Sequence, residues 1–123
     1  MRKYLLALLA LAFVATTAAA QTSKPGPNGG KVMGKGGHQV ELLLSPTEMT
    51  IYILHDGAPS TVKGAKLRAV VQQGGTNATI QLADVEHKRL VGKLATPLTK
   101  GAIVVITGKD DHGDAISARY TID

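Results

Sequence analysis

The sequence contains no cysteine and no tryptophan, and it has a single phenylalanine in 123 residues. The absence of cysteine excludes disulfides, thiolate metal sites, cysteine nucleophiles and the cysteine-containing blue-copper centre. Because aromatic residues are so scarce, a core must be built mainly from isoleucine, valine, leucine and alanine. Their scarcity also argues against a nucleic-acid partner, since a nucleic-acid surface combines a basic stripe with aromatic side chains.

The N-terminal residues have the layout of a secretory signal peptide. Arg2 and Lys3 precede a short apolar run, Leu5–Val14, and Ala18–Ala20 supplies the small residues of a cleavage site. We therefore expect residues 1–20 to be removed on export, leaving a periplasmic protein with no membrane insertion after cleavage. The alternative is a retained membrane anchor. Removal of Arg2 and Lys3 lowers the formal net charge of +5 by two.

Turn residues and short apolar runs alternate along the rest of the chain. Residues 21–30 are rich in proline, glycine and polar residues and predict a flexible leader, with the folded domain at 31–123. No window has the spacing and caps of a helix. The predicted strands are 38–44, 49–55, 65–71, 78–83, 89–94, 102–108 and 115–122. About seven short strands predict an all-β domain, a single antiparallel immunoglobulin-like β-sandwich, with a small β-barrel as the alternative.

The pattern around Ser45–Glu48 predicts both a hairpin and its register. If these residues form a four-residue loop, Leu42 faces Ile51 and Val40 faces Ile53, so one face of the hairpin is apolar. A slip of one residue would destroy this match, because it moves every side chain to the other face. Alternation along all the predicted strands gives a predicted core of Val40, Leu42, Ile51, Ile53, Leu67, Ile80, Leu82, Val105 and Ile116.

The same register places His38 directly opposite His55 at the end of the apolar face. Side chains so opposed have Cβ atoms ~5 Å apart, within reach of one ion. Asp56 adds a carboxylate at the rim, and Met33 adds a thioether that can fold over the same edge. Such groups suit Cu, Zn or Ni, so the predicted metal ligands are His38, His55, Asp56 and Met33. The alternative is an incidental histidine pair at the polar rim of a sheet.

Two further histidines are interpreted as lying outside this site. The loop Lys109–Asp114 gathers three aspartates and His112, but its spacing matches no calcium loop, and aspartate and glycine are ordinary turn residues. His87 lies in a charged turn, Glu86–Arg89. No set of residues resembles a nucleophile with a base and an orienting partner, so we expect a binding protein and not an enzyme.

Two stretches of the chain resemble a known pattern: GPNGGKVMGKGGHQVELLL and TIYILHDGAPSTVKGA. They are similar to small exported bacterial β-sandwich proteins and to N-terminal portions of periplasmic adaptor subunits of heavy-metal efflux pumps. The resemblance is carried by a Gly-Pro-x-Gly-Gly opening, a Gly-His-x-Val-Glu-Leu strand, a tyrosine-bearing strand with an Asp-Gly turn, and a closing strand ARYTI. It implies a periplasmic β-sandwich linked to metal-ion tolerance, with metal efflux components as partners. It supplies no established ligands.

A fainter likeness, to periplasmic copper-carrier β-sandwiches, lies in the stretch TPLTKGAIVVITGKDDHGDAISARYTI. Those carriers usually have a histidine at or close to the mature N-terminus, where this chain has Gln21, Thr22 and Ser23. The leading expectation is a periplasmic module that binds or buffers a transition-metal ion or assists a metal efflux system. The alternative is a metal-free structural or interaction β-sandwich that recruits a protein partner by strand addition.

Overall fold

The computed structural model describes residues 23–123, so the predicted signal peptide, 1–20, lies outside the described residues. The described chain consists of strands joined by turns and irregular segments. Its strands are β1 (Lys24–Pro25), β2 (Lys31–Lys35), β3 (His38–Leu44), β4 (Glu48–His55), β5 (Ala58–Pro59), β6 (Lys66–Gln73), β7 (Thr76–Ile80), β8 (Leu82–Val85), β9 (Arg89–Lys93), β10 (Ile103–Lys109) and β11 (Ala115–Thr121). Between residues 23 and 123 there is no helix with the length and apolar character needed to cross a membrane.

The strands form two antiparallel sheets that pack on one shared apolar core. The first sheet has the order β1-β2-β3-β4-β9-β8, and β5 pairs with the end of β4. The second sheet has the order β11-β10-β6-β7. The predicted antiparallel β-sandwich is confirmed, because residues 23–123 form two separate sheets where a barrel would need one closed sheet.

Residues 23–123 contain eleven strands, where the sequence pattern predicts about seven. The predicted strand 78–83 is two strands, because the chain leaves the second sheet after Ile80 and joins the first sheet at Leu82. The remaining additions, β1, β2 and β5, are short or carry glycine or proline. They therefore lack the run of alternating apolar residues by which a strand is recognised in a sequence.

Aliphatic side chains from both sheets fill the core, as the composition requires. Of the predicted core residues, five are buried: Val40, Leu42, Ile51, Ile53 and Ile116. Three more are partly buried and pack against the core: Leu67, Ile80 and Leu82.

The prediction that Val105 lies in the core is wrong by one residue. Val104 and Ile106 are completely buried, whereas Val105 lies on the opposite face of β10 and is half-buried. The run IVVI is apolar at every position, so alternation does not reveal which face of this strand is inside. Packing of β10 against the first sheet decides the face instead.

One buried tyrosine joins the two sheets. The Tyr120 hydroxyl, on β11, donates a 2.7 Å hydrogen bond to the carbonyl oxygen of Val40, on β3. Burial raises the pKa of the Tyr120 phenol, so the hydroxyl keeps its proton and remains a donor. This bond fixes β11 against the part of β3 that leads to His38.

A buried glutamate holds the glycine-rich segment before β2 to the sandwich. Glu41 is 0% exposed, and its carboxylate accepts hydrogen bonds from the backbone amides of Asn28 (2.9 Å) and Gly30 (2.7 Å). The Asn28 side chain donates a further bond at 2.9 Å. Gly26 permits this approach, because a Cβ there would overlap the Glu41 carboxyl group. The described part of the predicted leader, residues 23–30, is therefore packed on the first sheet, which begins at β1 and not at residue 31.

The face of β10 is tested by two substitutions of the same chemistry, Val104→Ala and Val105→Ala. Val104→Ala removes two methyl groups from a fully enclosed site, and we expect it to lower the free energy of unfolding by about 2 kcal/mol. Val105→Ala should cost well under half of that, because Val105 keeps contact with solvent. Urea unfolding followed by circular dichroism measures both. Equal losses, or a larger loss for Val105→Ala, would contradict the observed face.

The attachment of the leader is tested by Glu41→Gln. An amide in place of the carboxylate sets an NH₂ group against the donors of Asn28 and Gly30, so we expect a loss of about 1–3 kcal/mol in the free energy of unfolding. Limited proteolysis should also cut residues 23–30 faster. Glu48→Gln, at an exposed position, is the matched control and should change neither quantity. If the two variants behave alike, the Glu41 contacts do not hold this segment.

Candidate metal centre

The β3–β4 hairpin brings the two histidines together as its sequence predicts. The strands pair with His38 opposite His55, Val40 opposite Ile53 and Leu42 opposite Ile51. The two imidazole centroids are 5.1 Å apart, and the ring planes meet at 82°. The turn fixes this register, since the Ser45 amide donates to the Glu48 carbonyl at 2.9 Å and the Glu48 amide to the Ser45 hydroxyl at 3.0 Å.

A second element, the loop between β10 and β11, reaches the same place from the other sheet. Asp110 follows directly after β10 and organises the loop through one carboxylate oxygen. Its Oδ1 accepts hydrogen bonds from the amides of His112 (2.9 Å) and Asp114 (2.8 Å). The loop closes on itself, because the Asp110 amide donates to the Asp114 carbonyl at 2.9 Å. With Oδ1 engaged in this way, Oδ2 is left facing the histidine pair.

The distances between the loop and the hairpin are short. Asp110 Oδ2 lies 3.3 Å from His38 Nδ1 and 3.4 Å from His55 Nε2. Asp111 Oδ1 lies 3.9 Å from His55 Nε2 and 3.2 Å from His112 Nδ1. The His55 and His112 rings are 5.3 Å apart between centroids. The first sheet therefore contributes imidazole nitrogens to the cluster, and the β10–β11 loop contributes carboxylate oxygens and the His112 ring.

Four of these atoms are buried without a hydrogen-bond partner among residues 23–123: His38 Nδ1, His55 Nε2, Asp110 Oδ2 and Asp111 Oδ1. Leaving a polar atom buried and unpaired costs about 1–3 kcal/mol, so such atoms are rare in proteins. Here they are not scattered but face one another. Cations bound between them would pair these atoms.

The negative charge on Asp110 strengthens the need for a bound cation. Burial on its own would raise the pKa of Asp110, but the hydrogen bonds from the amides of Asp114 and His112, with the adjoining His38 ring, leave the pKa below the ordinary 3.8. The carboxylate is thus ionised at neutral pH while its side chain is 0% exposed. In the described chain, the potentially cationic groups close to it are His38 and His55, and no lysine or arginine pairs with it.

The spacing of the cluster matches metal coordination. Two ligand atoms that each lie ~2.1 Å from a tetrahedral ion are about 3.4 Å apart. Contacts of 3.3, 3.4 and 3.2 Å in the cluster fall at this separation, and two others, of 3.8 and 3.9 Å, are longer. Imidazole nitrogen and carboxylate oxygen are ligands for Zn, Cu and Ni, so the donor set agrees with the metals that the sequence predicts.

The ligand atoms divide into two groups. One contains His55, Asp110, Asp111 and His112, and the other contains His38, Asp110 and Asp114. Within each group all ligand atoms lie within 4.8 Å of one another. Asp110 is the residue that the two groups share.

Two predicted ligands, Asp56 and Met33, have other surroundings. Asp56 is exposed, and its carboxylate lies over the backbone of Gly37, where a Cβ would meet Oδ1 at 2.6 Å. Met33 is 5% exposed and packs in the apolar core, opposite Val40 in the sheet. His87 lies in a separate turn, with Nδ1 2.8 Å from Asp84 Oδ2.

The interpretation of the Lys109–Asp114 loop as separate from the histidine site is corrected. Its His112 and aspartates lie at the histidine pair, because β10 packs across the core from β3 and β4. The sequence feature that could have indicated this is the cluster of three aspartates around His112. What the sequence did not contain was the packing of the two sheets, which sets the loop beside the hairpin end.

Comparison with known proteins gives no relative. No protein-family model matches the chain, and neither a curated protein nor a solved structure matches it. The interpretation of the cluster therefore depends on its own geometry.

Proposed function

We propose that the protein is a periplasmic module that binds or buffers a divalent transition-metal ion, with Zn, Cu or Ni as the candidate metals. The observation that carries the proposal is the buried Asp110 Oδ2, which has no hydrogen-bond partner within residues 23–123 and lies within 3.4 Å of a nitrogen of each of two histidines. A protein gains nothing in stability from a buried, unpaired carboxylate oxygen. A ligand that needs such an oxygen explains why it is there.

The primary ligands in this proposal are His55, Asp110, Asp111 and His112. Their atoms form the larger group, and three of the four residues come from a single loop that Asp110 itself shapes. Burial of Asp110 and partial burial of His55 exclude water from one side of the ion. The resemblance to parts of metal-efflux adaptors agrees with delivery of the ion to, or its removal from, an efflux system.

The alternative function is a metal-free interaction domain. The observation that favours it is the edge strand β7, Thr76–Ile80, which is exposed along most of its length and has one free side for a partner strand. This alternative gives no role to the unpaired atoms of His38, His55, Asp110 and Asp111.

Binding is tested by calorimetric titration of Zn(II), Cu(II) and Ni(II) into the wild type and into Asp110→Asn. Asparagine retains the Oδ1 that accepts from the loop amides, but it replaces the inward-facing oxygen by an NH₂ group, which is no ligand. We expect Asp110→Asn and His55→Ala to weaken binding by about 100-fold or more. His112→Ala should weaken it as well, contrary to the expectation from the sequence.

The control for this experiment is His87→Ala, which removes an exposed histidine far along the chain from the cluster and should bind as the wild type does. Unfolding curves show whether each variant is folded. If folded Asp110→Asn and His55→Ala bind all three metals as tightly as the wild type, the proposed site is wrong.

Binding should also weaken as the pH falls. An imidazole must be neutral to ligate a metal, and an ordinary histidine has a pKa of about 6.5. Below that pH the apparent affinity should fall about tenfold per pH unit for each imidazole that must release a proton. Titrations between neutral and mildly acidic pH measure this slope. An affinity that is unchanged across this range would contradict ligation by histidine.

A further inference from the structure

The division of the cluster into two groups suggests more than one ion position. Ligand atoms of a single ion with bonds of ~2.1 Å lie at most about 4.2 Å apart, when they are on opposite sides of the ion. His38 and Asp114 form a compact group with Asp110, and His55, Asp111 and His112 form another with the same residue. The ligand atoms of each group lie within 4.8 Å of one another, which is close to the size of one coordination sphere, and the two groups meet at Asp110.

The shared atom is Asp110 Oδ2. It lies 3.3 Å from His38 Nδ1 on one side and 3.4 Å from His55 Nε2 on the other. Since Oδ1 is held by two loop amides, Oδ2 keeps both of its lone pairs for other partners, and it has none among residues 23–123. His38 Nδ1 is likewise buried and unpaired. The second group therefore has an unsatisfied, fully buried carboxylate oxygen and an unsatisfied nitrogen of its own.

We propose that the centre holds two divalent transition-metal ions bridged by Asp110 Oδ2, with the second ion bound by His38 and Asp114. This proposal rests on the proposed function and deepens it. Ions that share a bridging oxygen in this way lie about 3.5–4 Å apart. The second position is the weaker one, because the side chains of His38 and Asp114 are 39% and 51% exposed and must be ordered when the ion binds.

The number of ions is measured by native mass spectrometry of the protein titrated with Zn(II). We expect the wild type to take up one ion and then, at higher zinc concentration, a second. His38→Ala and Asp114→Asn should stop at one ion, and the affinity of that first step should stay within about tenfold of the wild type, since only a neighbouring group is lost. His87→Ala should still take up two.

Bridging is measured separately with Cu(II) by electron paramagnetic resonance. The signal should grow to one equivalent and then fall as the second ion enters, because two Cu(II) ions joined by one oxygen couple their spins. In His38→Ala it should grow to one equivalent and stay there.

The outcomes separate the two proposals. If the wild type binds no metal, the proposed function fails, and this inference fails with it. A wild type that stops at one ion overturns the second position alone and leaves the proposed function standing. A second ion whose copper signal simply adds to the first is adventitious, and that result also overturns the bridged pair.

Discussion

The register of the β3–β4 hairpin is the constraint on which the rest of the structure depends. Val40 and Leu42 on one strand meet Ile53 and Ile51 on the other, and all four are buried. Their burial contributes several kcal/mol, and a slip of one residue would turn them all outward. The same register sets the histidine pair at the end of the core face. It also sets Glu41 on the outer face, where the glycine-rich segment covers it.

Two buried acids in this small domain are treated differently by their surroundings. Both carboxylate oxygens of Glu41 accept hydrogen bonds from donors of Asn28 and Gly30, so neither oxygen is left unpaired. Asp110 has one oxygen engaged in the same manner and the other left facing His38 and His55. The contrast shows that the fold can satisfy a buried carboxylate fully when only structure requires it. The unpaired oxygen of Asp110, Oδ2, is the atom that a cation would bind.

Local pattern in the sequence was enough for the hairpin and for the pairing of its histidines, because both follow from alternation and one turn. It was not enough for β10, where an unbroken apolar run hid the inner face and Val105 was predicted in place of Val104. It also missed the switch between sheets at Gln81 and the role of the Lys109–Asp114 loop. These features are set by packing between segments far apart in the chain, which no local spacing records.

The most direct test of a metal centre built by both sheets is the position of a bound ion. Crystals grown with Zn(II) and measured at the zinc absorption edge give that position from the anomalous difference map. The account predicts a peak ~2.0–2.2 Å from Asp110 Oδ2 and from His55 Nε2. A map with no peak at Asp110, or with zinc only at the exposed pair of His87 and Asp84, would contradict it.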